Sequence, residues 1–555
     1  MNRAFHLNNI ATTEFDICII GAGASGAGCA LDAALRGYRV LLVEKTDISS
    51  ETSSKSTKLI HGGVRYLEQA FKKLDFAQLR QVRHGLEERH TLLKNAPHLA
   101  RPLALVTPVF SWFEGLYFTI GLKVYGFFAR HDTLPKARWL SRAQTLEAIP
   151  SLTQRLHSSV MYYDGQLDDA RYCLALVQSA VKEGVSVVNY LEITHFINSP
   201  TLGGLGGAAV GKDNLTGESV KISAKIFINC TGASADVVRQ LANPSSLSRI
   251  RPSKGVHLVL PADVLKGNAH ALMIPKTADG RLIFVLPFEH SVFVGTTDDD
   301  YKTPDKEPIL NRTEVDFILE TLRPYFENRI ESHQITAGFG GLRPLITENK
   351  ANTKNLLRDH EVEHDPVSNL VSLLGGKWTT YRIMAKDTID KVETILKSPN
   401  APTDCKTADY VLVGGEDLDE HKIIELIDFI AEKYNLSNAI AAHLVSKYGN
   451  LAEKVIQMAD EKGFEHLDLL SPLTPQYPHL KAEVLYAVRH EMAMKPRDFL
   501  ARRTRLEIMN WQVAHDVCPT VCQIMSIELR WTAAKMQQEI MDYQQQIKTF
   551  QAAIQ

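Results

Sequence analysis

Gly21-Ala22-Gly23-Ala24-Ser25-Gly26 sets three glycines at GxGxxG spacing directly after the apolar run Phe15-Asp16-Ile17-Cys18-Ile19-Ile20. Each glycine has a mechanical use there. Gly21 permits a tight turn, Gly23 lets a phosphate approach the backbone, and Gly26 lets the next helix pack against the strand. The start of that helix offers unpaired N–H groups and the positive end of its dipole to an anion. Ala27 to Arg36 reads as the helix, and Tyr38 to Val43 as a second strand that ends on Glu44, 23 positions after Gly21. A carboxylate so placed accepts hydrogen bonds from a ribose. Together these parts predict a βαβ unit that binds a dinucleotide.

Three further glycine segments widen the grip. The long polar stretch Ser49 to His61 runs into Gly62-Gly63-Val64-Arg65-Tyr66. Asn229-Cys230-Thr231-Gly232-Ala233 closes the apolar strand Lys225 to Ile228, and Gly375-Gly376-Lys377-Trp378-Thr379-Thr380 follows the apolar Leu370 to Leu374 and opens a helix. Glycine-bearing strand ends this far apart suggest one long ligand held along its length. A fourth segment, Gly204-Leu205-Gly206-Gly207-Ala208-Ala209, mimics the fingerprint, but turn residues rather than an apolar helix follow it. We read it as a hairpin loop. Asp298-Asp299-Asp300 lacks the glycine and terminal glutamate of a calcium loop.

The elements that must position these residues belong to an ordinary globular chain. Its 555 residues are 45% hydrophobic and 23% charged, which excludes disorder and collagen-like order. With 62 basic and 64 acidic residues the net charge is −2, so no global field favours nucleic acid. Seven scattered cysteines form no disulfide framework and fit a reducing compartment. No CxxC or HExxH motif supports a metal site. Neither a signal peptide nor a membrane-spanning run is visible, so the expected location is cytoplasmic, or docked on a membrane without crossing it.

The ordered motifs carry a resemblance. GAGASGAG (21–28), STKLIHGGVRYLE (56–68), LDDARYCLA (167–175), NCTGASA (229–235), KGVHLVLP (254–261), GTTDDDY (295–301), GGLRPL (340–345), LLRDHEV (356–362), GGKWTTYR (375–382) and DFLARRTRL (498–506) span the chain. The sequence resembles the FAD-dependent glycerol-3-phosphate dehydrogenases of the D-amino-acid-oxidase-like flavoprotein superfamily, and looks like the bacterial type. The resemblance implies an α/β chain (α+β overall). A Rossmann-like FAD-binding domain would come from 1–98, 165–250 and 336–398, a β-rich substrate cap from 99–164 and 251–335, and a C-terminal helical domain from 399–555. Ser398 to Thr403 reads as the linker. In the helical part, His421 to Tyr434, Ser437 to Tyr448, Leu480 to Met494 and Pro519 to Gln546 read as amphipathic segments.

The implied chemistry is oxidation of sn-glycerol 3-phosphate to dihydroxyacetone phosphate. Hydride passes to FAD and electrons go on to a membrane quinone. FAD is then the dinucleotide, gripped by Gly21, Gly23, Gly26, Glu44, Gly62, Gly63, Gly232, Gly376 and Thr379. By resemblance Arg65, Tyr66 and Arg358, with Thr380, bind the substrate and its phosphate, a task suited to guanidinium forks. His257, Arg343 and Lys377 sit nearer the reacting carbinol. His257 has an ordinary pKa near neutrality and is the expected proton acceptor, with Arg343 and Lys377 stabilising alkoxide charge. Lys377 competes for the proton. Peripheral association with the inner face of the cell membrane is expected, and a homodimer is compatible. The alternatives are an O₂-using oxidase that makes hydrogen peroxide and a non-catalytic flavoprotein with a helical interaction module. Two elements are expected to meet lipid: the aromatic run Val109 to Phe128, and the basic cluster between Arg489 and Arg505.

Overall fold

In the computed structural model the described residues are 1–63, 76–129, 134–197, 207–266, 270–275, 277, 280–302, 306–347, 360–396 and 404–555. Two large sheets organise them. The first runs His360–Asp365, Leu370–Gly375, Ser219–Asn229, Phe15–Ile20, Val40–Val43, Ser186–Val188. Its four strands from Leu370–Gly375 to Val40–Val43 are mutually parallel, and Ser186–Val188 continues that direction. Ile17, Cys18 and Ile19 are completely buried, as a parallel strand covered on both faces requires. Helices Ala24–Leu35, Asp169–Lys182 and Tyr381–Leu396 pack together on one side. This is the Rossmann-like arrangement, with strand ends converging where a dinucleotide binds.

The second sheet has ten strands, with the long antiparallel pair of Ala100–Val109 and Ser158–Leu167 towards one end and Ile250–Pro261 near the other. The strand Ala337–Ile346, placed with the FAD-binding segments by the sequence division, is hydrogen-bonded into this sheet. It pairs antiparallel with Ile250–Pro261 from Ile250↔Ile346 to Val259↔Ala337. The short strand Leu59–Ile60 joins the opposite edge. The fingerprint mimic behaves as a strand: Gly207–Asp213 pairs with Leu191–Ile197 and Ser219–Asn229, and 204–206 lie outside the described residues. Residues 398–403, read as the linker, also lie outside them.

Helices dominate the C-terminal part. Glu420–Tyr434, Asn438–Tyr448 and Ala482–Glu491 match three expected amphipathic segments. The fourth needs correction. Instead of one element over Pro519 to Gln546, there are two helices, Trp511–Glu528 and Ala533–Ala553, with Pro519 inside the first. The break falls at Arg530, whose φ is +53°, and Thr532 caps the next helix by accepting from the Lys535 N–H. Among the described residues no helix is long and apolar enough to cross a membrane.

Candidate active site

The glycine turn is built as its spacing requires. Gly21 has φ +103°, and a Cβ there would lie 2.8 Å from the Cys230 carbonyl oxygen, so the glycine turn and the Asn229–Ala233 segment abut. A Cβ on Gly26 would overlap the Gly21 carbonyl. Gly23 differs, because a Cβ would meet only the Ser53 side chain, at 2.9 Å from its hydroxyl. No acidic side chain stands in the first turn of helix Ala24–Leu35, and the Ala24 N–H donates to Ser53 Oγ at 3.0 Å. The space beside Gly23 and the positive helix end suit a pyrophosphate.

Glu44 ends its strand as expected but has a second task. Its carboxylate accepts from the Ala22 N–H at 2.9 Å and from the Thr46 N–H and hydroxyl at 3.0 and 3.1 Å, bracing the glycine turn. Burial raises its pKa, and those donors oppose the rise.

The remaining glycine segments close on the same region. Gly62 donates its N–H to the Tyr125 hydroxyl at 2.7 Å, a Cβ on it would strike the Val82 carbonyl, and Gly63 has φ +87°. Gly232, at φ +57°, opens a single turn over Gly232–Ser234. Gly376 has φ +88°, with the Met384 side chain where a Cβ would stand. Thr379 is buried, and its hydroxyl accepts from the His61 N–H at 3.4 Å. Trp378 donates its indole N–H to the Ser53 carbonyl at 2.8 Å. Lys377 occupies the cap position before Trp378–Thr380, and the Thr380 hydroxyl donates back to the Lys377 carbonyl at 3.3 Å.

His257 and Arg343 share one face of the second sheet. In register, His257 opposes Phe339 and Arg343 opposes Ser253, so the alternating side chains of 253, 255 and 257 face the same way. Gly255 makes the proximity possible. A Cβ there would lie 2.5 Å from an Arg343 Nη, so its absence lets the guanidinium fold across the strand towards His257. Gly295 clears the space for the His257 ring in the same way. The ring stacks on Phe339 with centroids 4.8 Å apart, and its Nε2 lies 3.2 Å from Thr57 Oγ1. Burial first, then the Lys58 ammonium and the Arg343 guanidinium, hold the His257 pKa well below its usual value. It is therefore neutral at pH 7. Arg343 donates to Asp298 at 3.2 Å and to the Thr296 hydroxyl at 2.9 Å.

Arg65, Tyr66 and Arg358 lie outside the described residues. Ser53, Thr57, Thr296, Asp298 and Tyr125 were not singled out from the sequence as site residues. Ser53 and Thr57 lie in the polar stretch Ser49 to His61, and that run of hydroxyls was their only visible signal.

The basic cluster is a correction. Arg502, Arg503 and Arg505 are buried: the first two pair with Asp47, and Arg505 pairs with Asp169. Arg489 is engaged by Glu461 and Glu528, and Arg497 by Glu307 and Glu507. The three buried arginines are internal and compensated and so not available to lipid, while the partly exposed Arg489 and Arg497 are committed to ion pairs and Lys495 lies over the Tyr190 ring. His443, His479 and Glu483 also meet in the helical part. There the Glu483 carboxylate is filled by His443 at 2.9 Å, the Leu480 N–H at 2.6 Å and the Tyr448 hydroxyl at 3.0 Å, a hydrogen-bonded core.

Comparison with known proteins decides the family. Residues 16–388 match the FAD dependent oxidoreductase family, and 405–536 match the C-terminal domain of alpha-glycerophosphate oxidase. The chain belongs to the FAD-dependent oxidoreductase family. Within this family it is 38% identical over 540 residues to the mitochondrial glycerol-3-phosphate dehydrogenase of Bos taurus, covering 95% of this chain and 72% of that protein. It is 37% identical to the probable mitochondrial glycerol-3-phosphate dehydrogenase of Dictyostelium discoideum, over 97% of this chain and 84% of the relative. The glycerol-3-phosphate dehydrogenase of Bacillus halodurans, solved with FAD, superposes with a TM-score of 0.78 at 29% identity, covering 100% of this chain and 98% of that one. The L-alpha-glycerophosphate oxidase of Mycoplasma pneumoniae shares the fold, with a TM-score of 0.54 at 17% identity over 68% of this chain and 94% of its own. FAD is the family's cofactor, and the glycine turn, where only the Ser53 side chain stands beside Gly23, is the fitting cradle for it.

Proposed function

We propose that this chain oxidises sn-glycerol 3-phosphate at C2 to dihydroxyacetone phosphate and passes the electrons to a membrane quinone. The observation that carries this reading is the placement of His257 beside Arg343 on a glycine-cleared sheet face, which the Thr52–Lys58 loop joins to the dinucleotide turn. Bound FAD supplies the hydride acceptor. Arg343, held by Asp298 and Thr296, offers a fixed cation to negative charge developing on the C2 oxygen. Neutral His257 offers an unprotonated ring to the hydroxyl proton, but burial and the Lys58 and Arg343 cations make it a weaker base than the sequence predicts, and Lys377, at the head of its helical turn, shares the stabilisation. Arg65, Tyr66 and Arg358 hold the phosphate, with Thr380 alongside.

Anaerobic addition of glycerol 3-phosphate to the FAD-loaded protein should bleach the flavin band near about 450 nm. An unchanged spectrum would reject the reading. Arg358→Ala should raise KM for glycerol 3-phosphate at least ~100-fold, since charged hydrogen bonds contribute about 1.5–3 kcal/mol each and several cooperate. Turnover of glycerol, which lacks the phosphate, should barely change. Equal losses on both substrates would remove Arg358 from the phosphate site.

The acceptor assignment rests on helix Trp112–Phe128. Gly115, Thr119, Leu122 and Tyr125 form its buried stripe, while Trp112 (53% exposed), Phe113 (78%), Ile120 (56%) and Phe127 (78%) face outwards. So large an apolar surface marks a docking face, and Trp and Tyr beside aliphatics suit the headgroup boundary. A quinone is confined to lipid, so we place the protein peripherally on the inner face of the cell membrane. Rapid O₂ consumption with stoichiometric peroxide and no vesicle binding would instead select an oxidase.

A further inference from the structure

We infer that the C-terminal helical domain is part of the reacting site's scaffold: Arg505, acting through Asp169, is a positioning residue for the Thr52–Lys58 loop and hence for His257. The inference rests on the functional reading above and assigns a task to the helical domain.

The loop touches several parts of the site. Ser53 meets the glycine turn through its hydroxyl and Trp378 through its carbonyl. Thr52 donates its hydroxyl to the Leu342 carbonyl at 2.6 Å, next to Arg343, and Thr57 stands at His257 Nε2. Little regular structure holds it. It has one short turn over Thr52–Ser54, and Lys58 lies in the left-handed region at φ +59°.

Asp169 supplies the missing support. One carboxylate oxygen accepts from the Ser56 N–H at 3.0 Å, the Ser56 hydroxyl at 2.7 Å and the Lys58 ammonium at 2.8 Å. The other accepts from Arg505 at 2.8 Å, and the same Arg505 Nη donates to the Ser54 carbonyl at 2.7 Å. Lys58, Asp169 and Arg505 are all fully buried.

The charges balance only when the helical domain is in place. Asp168, Asp169 and Glu289 face Lys58, Lys447 and Arg505, with Lys447 paired to Asp168 at 2.6 Å and to Glu289. Two of those three cations come from the helical domain. Without them, the buried Asp168 and Asp169 would keep Lys58 but lose Lys447 and Arg505, and buried charge left unpaired is strongly destabilising. The FAD-binding part therefore does not close its own loop.

The test uses full-length, FAD-loaded protein with a water-soluble dye as acceptor. Arg505→Met and Ser56→Ala should each lower kcat at least ~10-fold, and together cost no more than the worse single change, because both act through Asp169. Arg505→Lys, which keeps a donor to Asp169, should recover to within about threefold of wild type. Both damaging variants should also weaken FAD binding at least ~10-fold by equilibrium dialysis, because Ser53 leaves the glycine turn. Arg489→Met breaks an ion pair inside the helical domain with Glu528 and is the control; it should lower Tm while kcat and FAD affinity stay put. Wild-type kcat and FAD affinity in Arg505→Met, with only the lowered Tm of the control, would overturn the inference. So would multiplicative losses in the double variant. Should Arg505→Met not accumulate, Ser56→Ala at wild-type kcat and FAD affinity overturns it alone. Failure of the functional reading is distinguishable, since it shows in wild type as flavin that glycerol 3-phosphate does not bleach, while the FAD-binding arm still judges the scaffold.

Discussion

Gly23→Val yields a folded protein that emerges from purification without FAD. The polypeptide itself accommodates the change. Gly23 has φ −79° and ψ −179°, an extended backbone that a β-branched residue adopts readily, and the new Cβ meets only the Ser53 side chain. What it fills is the space where pyrophosphate approaches the backbone. Flavin content should fall from about one per chain to near zero, with Tm close to that of the wild-type apoprotein. Gly26→Val is the instructive contrast. There the Cβ overlaps the Gly21 carbonyl, so helix and strand cannot both keep their places, and the protein should be lost to misfolding. Stoichiometric flavin in purified Gly23→Val would show that this turn is not the dinucleotide site.

The second large effect is expected at the exposed aromatic helix. Trp112→Glu/Phe113→Glu should cut binding to anionic vesicles and ubiquinone or menaquinone reduction by at least ~10-fold, since burying a large apolar side chain is worth about 1.5–3 kcal/mol. Dye reduction should survive, because both residues face outwards and the buried stripe on Gly115, Thr119, Leu122 and Tyr125 is untouched. Sedimentation with vesicles and parallel quinone and dye assays measure both arms. Equal loss in the two assays would mean that the substitutions damage the fold, and unchanged vesicle binding would mean that lipid is met elsewhere.

Much of the dinucleotide unit was legible because its signals are local. Gly21, Gly23, Gly26 and Glu44 are separated by whole turns and strands of fixed length, so sequence distance converts directly into geometry. The partners of the basic cluster were illegible for the opposite reason. Arg502 and Arg503 are read from sequence as surface charge, yet both pair with Asp47, more than 450 residues away in the chain. Nothing in the local pattern of DFLARRTRL distinguishes a solvated arginine from one sealed against another domain. Thr57 was missed because a hydroxyl among many carries no periodic signal, and its contact with His257 depends on a second sheet. The break at Arg530 carries no glycine or proline to mark it in the sequence.

The helix Trp112–Phe128 has two ends of business joined by one side chain. Tyr125 accepts from the Gly62 N–H and donates to Asp164 at 3.0 Å, and Asp164 is itself paired with Arg89. The outward-facing aromatics and Gly62, which we propose to grip the dinucleotide, are thus joined through one side chain of the helix and one hydrogen bond. Thermodynamic reciprocity then sets a rule for that link. If docking shifts Tyr125 and so alters binding at Gly62, a molecule held at Gly62 must return the same coupling free energy, with the same sign, to the docking equilibrium.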